Sequence, residues 1–228
     1  MLPLLEKKLP KIVIVDGSCN PGGDRYADEL LKALRIAREK LHCWFEGICE
    51  TDGSDNEYDG RDIEEDIRIK LLSKNADGKL PRKYEFRVHY YDAGNGEPTE
   101  GKIIYIAPRH PGESIPLTEE PNWKSFRSDD KLDKFQELWG KSPELSEDEA
   151  NQLNWCCCEC CHKIKVKCHC CCDCCPKEIC HWLSSLCLGE FPHHITANQF
   201  FTPEMFSAYH REGYAACVEA KIDKFLQD

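Results

Sequence analysis

No stretch of this 228-residue chain runs for the ~18 apolar positions of a membrane span, and 31% of its residues are charged. A transmembrane segment is therefore not expected. Basic residues are in deficit, 30 Lys and Arg against 41 Asp and Glu, giving a formal charge of −11. Affinity for nucleic acid comes mainly from cations set against phosphates, so nucleic acid is an unlikely partner by composition. The apolar start is interrupted by Glu6, Lys7, Lys8 and Pro10, which argues against a secretory leader and for a cytoplasmic location. No Ser or Cys sits in a nucleophile-elbow pattern, so hydrolase chemistry has little to stand on.

Cysteine is what the chain has in excess. There are 17, and 13 of them lie between Cys156 and Cys187, with Cys19, Cys43, Cys49 and Cys217 scattered elsewhere. A disulfide-stapled domain spreads its cysteines along the fold to close loops; a single dense block in a reducing compartment points to metal. Within that window four lysines face three acids, a charge of +1, while the rest of the chain carries −12. Lysines beside zinc-bound thiolates offset their negative charge.

The organisation predicted from pattern is α+β. Lys11–Asp16 is a short apolar run between Pro10 and Gly17 and reads as a buried strand. A helix is predicted from Asp24, as N-cap, to about His42, with Leu30, Leu31, Leu34, Ile36 and Leu41 as its apolar stripe. Residues 50–66 hold nine acids against Arg61 alone, a solvated loop entering a helix at Ile63–Leu72. Tyr84–Tyr91 and Lys102–Ala107 read as strands. Residues 1–108 form a small α/β domain on this reading. Residues 109–154 are an acidic connector with a long loop at Pro108–Asn122 and helices at Asp130–Trp139 and Ser146–Trp155. Ser146 followed by Glu149 is a capping-box pattern. Residues 155–228 are a cysteine-rich, zinc-stabilised module closed by a helix from Thr202 to Phe225, its apolar face drawn from Met205, Phe206, Tyr209 and Val218.

Cys-x2-Cys pairs recur in the block, among them Cys158/Cys161, Cys168/Cys171, Cys171/Cys174 and Cys172/Cys175. Two intervening residues let both sulfurs reach one tetrahedral ion at about 2.3 Å through a tight turn. The candidate ligands are Cys156, Cys158, Cys161, Cys168, Cys171, Cys172, Cys174, Cys175, Cys180 and His194, enough for one to three zinc ions. From Lys163 to Cys174 the pattern alternates, so some of these thiols are equally readable as core hydrophobes on one face of a strand. Structural zinc supplies the folding energy that a segment with so few apolar residues lacks. Metal storage and palmitoylation of the cysteine string are the competing readings, the latter a lipid anchor near Trp182, Leu183 and Leu186.

Trp155-Cys156-x-Cys158-x2-Cys161, the later pair Cys174-Cys175, and His194-Ile195-Thr196 before a helix resemble the zinc-bearing cytoplasmic ballast domain of purinergic ion-channel receptors and its soluble relatives. There a cysteine stands where this chain has His194. The resemblance spans residues 155–210 and implies a zinc-stabilised interaction or nucleotide-binding module without catalysis, its partner another protein.

Residues Gly17, Ser18, Gly22 and Gly23 lie in a loop between the first strand and helix, an order in which backbone N–H groups can accept a phosphate. Strand, Gly-Ser and helix resemble the phosphate loop of flavodoxin-like FMN reductases, which would make FMN or a nucleotide the cofactor. No Gly-Lys-Ser/Thr follows the loop's glycines, so it is not a Walker A motif. A plain glycine-rich turn accounts for it as well. Asp16 with Asp24, Asp52 or Asp92 would be a magnesium cluster. Asp55, Glu57, Asp59, Gly60, Asp62 and Asp66 imitate a calcium loop, with Asp62 where an apolar residue belongs. Cys19 with His89 or His110 is the remaining catalytic pairing, and nothing in the spacing singles it out. The balance of these signals is a zinc-binding, non-catalytic protein-interaction module.

Overall fold

The computed structural model describes residues 1–16, 27–48, 62–91, 99–117, 144–153, 191–193 and 203–227. The chain divides into two units. One comprises Met1–Asp16, Asn20–Ala107 and Glu219–Asp228, the other Gly17–Cys19 and Pro108–Val218. Helices and a mixed four-stranded sheet make the architecture α+β.

The first unit is built on strands β1 (Lys11–Val15), β2 (Cys43–Gly47), β3 (Lys83–Tyr90) and β4 (Thr99–Ile106). Their order is β1-β4-β3-β2, with β1 parallel to β4 and the other neighbours antiparallel. Strict alternation in β3 sets the sheet's two faces. Tyr84, Phe86, Val88 and Tyr90 are buried on one, and Lys83, Glu85, Arg87 and His89 take the other. Register places Phe45 opposite Val88 and brings Phe86, Ile103 and Ile12 into one row, so large apolar side chains meet across strands.

Helices α1 (Leu2–Glu6), α2 (Asp28–Leu41) and α3 (Ile63–Lys70) contribute to the same core. Leu30, Leu31, Leu34 and Ala37 are the buried stripe of α2; Ala37, rather than Ile36, completes it. The helix starts later than the pattern suggests, with Ala27 as N-cap and no side-chain cap bond. It ends at His42, whose left-handed φ of 50° turns the chain directly into β2. Lys11–Val15 is a strand as expected, but only Ile12 in it is fully buried and Val15 is 58% exposed. Strand β2 and helix α1 were not anticipated, and β4 starts three residues earlier than its pattern indicated.

Asp66 of α3 is 3% exposed. Its Oδ2 accepts a hydrogen bond from the Tyr84 hydroxyl at 2.5 Å and its Oδ1 pairs with Lys70 at 2.9 Å. A carboxylate this deep needs both partners to offset its desolvation. Room for it comes from Gly47: a Cβ there would lie 2.1 Å from Asp66 Oδ2. On the surface, Arg35 grips Glu64 at 2.8 and 2.5 Å and Arg38 reaches Asp62 at 3.2 Å, linking α2 to α3.

In the second unit, residues Pro108–Ser114 form a tight turn. His110 accepts through its carbonyl from the N–H groups of Glu113 and Ser114, at 2.8 and 3.0 Å. The sequence reads as a linker or long loop here; within it Arg109 and Ser114 are 4% and 3% exposed, and the Arg109 N–H donates to Glu212 at 2.9 Å. Helix α4 (Glu147–Leu153) carries the anticipated capping box: Ser146 Oγ accepts from the Glu149 N–H at 3.2 Å, while the Ser146 N–H donates back to Glu149 at 3.0 Å. Ala150 packs with Phe191 and Ala208.

The tail is two helices rather than one, α5 (Pro203–Glu219) and α6 (Ile222–Gln227), broken at Lys221 with φ 50°. Phe206, expected on the apolar face of the tail, is 61% exposed. The positions of α5 that are buried include Ser207, Arg211 and Glu212. Glu219, in the first unit, accepts from the Arg82 N–H at 2.8 Å and from its guanidinium at 3.0 Å.

Candidate functional site

All the proposed zinc ligands, Cys156 to Cys180 and His194, lie outside the described residues. So do Gly17, Ser18, Gly22 and Gly23, and the partners Asp24, Asp52, Asp92 and Cys19. What is described is the frame on which these segments are strung.

At the start of the glycine loop, Asp16 extends the β1 ladder through its N–H to Ile106 at 2.9 Å, and its carboxylate accepts from the Tyr105 hydroxyl. Beyond the loop, α2 opens with Asp28 and Glu29 in its first turn. Two carboxylates there occupy the positive end of the helix dipole, the end a phosphate would need. Among the described residues β1 has one neighbour, β4, and the sheet contains one parallel pair. That differs from the parallel, doubly wound sheet of flavodoxin-like proteins.

The cysteine block is entered from α4 and left toward Phe191–His193 and α5. Arg211, 4% exposed along its side chain, bridges these flanks. It donates to both carboxylate oxygens of Glu149, at 3.2 and 3.0 Å, and to the carbonyl of Glu144. The Arg211 bonds, with those from Ser146, hold the Glu149 carboxyl below its usual range. Bidentate pairing fixes the guanidinium in one plane, which a lysine there would not do.

Two cysteines are described, Cys43 and Cys217, both free thiols. Burial pushes both thiols up, away from the thiolate that metal and nucleophilic chemistry require. Cys43, 5% exposed, packs with Phe45 and Tyr90 as a small hydrophobe. Burial also lifts Tyr90, whose hydroxyl donates to the Leu9 carbonyl at 2.8 Å, to about 12.

Of the calcium-loop candidates, Asp62 caps α3 by accepting from the Glu64 N–H, and Asp66 faces Tyr84 and Lys70. Both carboxylates are engaged by groups of the protein itself, Asp62 also by Arg38 at 3.2 Å. Asp66 is thus a buried member of the helix expected at Ile63–Leu72, while residues 50–61 of the acidic loop lie outside the described residues.

One polar constellation was not foreseen. His89 lies in register between Trp44 and Glu100. Its Nε2 is 2.9 Å from Glu46, and its Nδ1 is 3.3 Å from Glu100. The two carboxylates engage opposite ring nitrogens, so they cannot converge with the imidazole on one ion. The alternation of β3 marked His89 as sharing a face with Arg87, but the pairing needed β2, which the pattern did not show. In the second unit, His110 Nδ1 accepts from the Gly112 N–H at 3.2 Å, and its ring meets Phe191 edge-on at 6.4 Å. Both ring nitrogens of His89 face carboxylates and His110 Nδ1 accepts from a backbone N–H, so neither is paired with a nucleophile among the described residues. Among the described residues no group of three or more His, Cys, Asp or Glu is placed to hold a metal ion, and no helix is long and apolar enough to cross a membrane.

No family model, curated protein or solved structure matches this chain.

Proposed function

We propose that the chain is a zinc-binding protein whose cysteine-rich segment, residues 155–228, acts as a non-catalytic protein-interaction module in the cytoplasm. The observation that carries this reading is the spacing of the block: 13 of 17 cysteines within Cys156–Cys187, organised in overlapping Cys-x2-Cys pairs. Zinc of one to three equivalents, held by ligands drawn from Cys156, Cys158, Cys161, Cys168, Cys171, Cys172, Cys174, Cys175, Cys180 and His194, would supply folding energy to a segment poor in apolar residues.

Two features of the frame support a role other than nucleotide or flavin chemistry at Gly17–Gly23. The helix after the loop begins with two carboxylates, and the described sheet has a single parallel pair. The thiols of Cys43 and Cys217 are shifted away from reactivity, so neither of these two is a candidate for thiolate chemistry.

The test is native mass spectrometry of the full chain, purified under reducing conditions without added metal, with a parallel count of reactive thiols. One to three zinc ions with most block thiols protected is the expected result. Many loosely exchanging ions would replace the interaction module with metal storage. No metal and freely labelled cysteines would overturn the zinc reading altogether.

A further inference from the structure

We draw no further inference here: the strongest candidate, the polar face of the sheet where Trp44, Glu46, His89 and Glu100 stand side by side on β2, β3 and β4, carries nothing further because nothing in the structure shows what covers it.

Discussion

Replacing Tyr84 with Phe isolates the buried carboxylate behind the sheet. The substitution keeps the ring, which stacks on Phe86 at 5.4 Å, and removes only the hydroxyl that donates to Asp66. Asp66 Oδ2 then loses its short bond in a site where the residue is 3% exposed, while Oδ1 keeps Lys70. Leaving a buried charged acceptor short of a partner costs about 2–3 kcal/mol, the upper part of the range for unsatisfied groups. The pH dependence gives a second, independent readout. Burial, then the Asp66 hydrogen bond and charge, raise the Tyr84 hydroxyl far above its ordinary value of 10. A raised folded value means the hydroxyl's contribution is fully present below pH 10 and is lost as the pH rises from there, because the unfolded chain releases the proton first. The stability gap between wild type and Y84F should therefore be constant from neutral pH to about 9. Above 10 it should narrow by at most about 1.4 kcal/mol per pH unit. Urea unfolding followed by circular dichroism at a series of pH values measures both quantities. A Y84F loss under about 0.5 kcal/mol, or a gap that does not narrow in alkali, would refute the argument.

Four other variants separate the remaining parts. Gly47→Ala drives a Cβ into Asp66 and should cost at least about 1–3 kcal/mol as an overpacked site; a melting temperature equal to wild type would show that the carboxylate has somewhere else to go. Ser146→Ala removes one helix cap, about 1 kcal/mol, whereas Glu149→Ala removes the cap's return bond and both contacts to a buried arginine and should cost distinctly more. Because the Glu149 carboxyl is held low, that excess is present above the ordinary glutamate value of 4.5 and fades as the pH falls below it and through the depressed folded value; acid titration of the two variants checks the sign. Cys158→Ser with Cys161→Ser should lower the zinc content and increase proteolysis of residues 156–228 while residues 1–107 stay protected. Unchanged metal content and cleavage would remove that pair from the ligand set.

Legibility of the fold follows the strength of local periodicity. Leu30, Leu31 and Leu34 announced α2 because one helical face is apolar, and β3 announced itself by alternating over eight residues. Strand β2 has only five residues and begins immediately after a helix ended by His42, not glycine, so neither length nor punctuation marked it. Lys221 breaks the tail in the same left-handed conformation, again without glycine, which is why the sequence read as one helix. Asp66 and Arg211 defeated the rule that charge means surface. Their partners, Tyr84 and Glu149, are 18 and 62 positions away, beyond the reach of any local pattern. The proposed zinc ligands are legible only as spacing, since they lie outside the described residues.

The bridge from Arg211 to Glu149 has a consequence for everything strung between them. Holding together two points 62 positions apart opposes a chain entropy of about 4 kcal/mol, from (3/2)RT ln n. Once that contact is made, the two ends of the intervening span are held together. On the zinc reading, cysteines between the two tethered ends would meet at a higher effective concentration than in an untethered chain. Severing the bridge should therefore weaken capture inside the span even though neither Arg211 nor Glu149 belongs to the proposed ligand set.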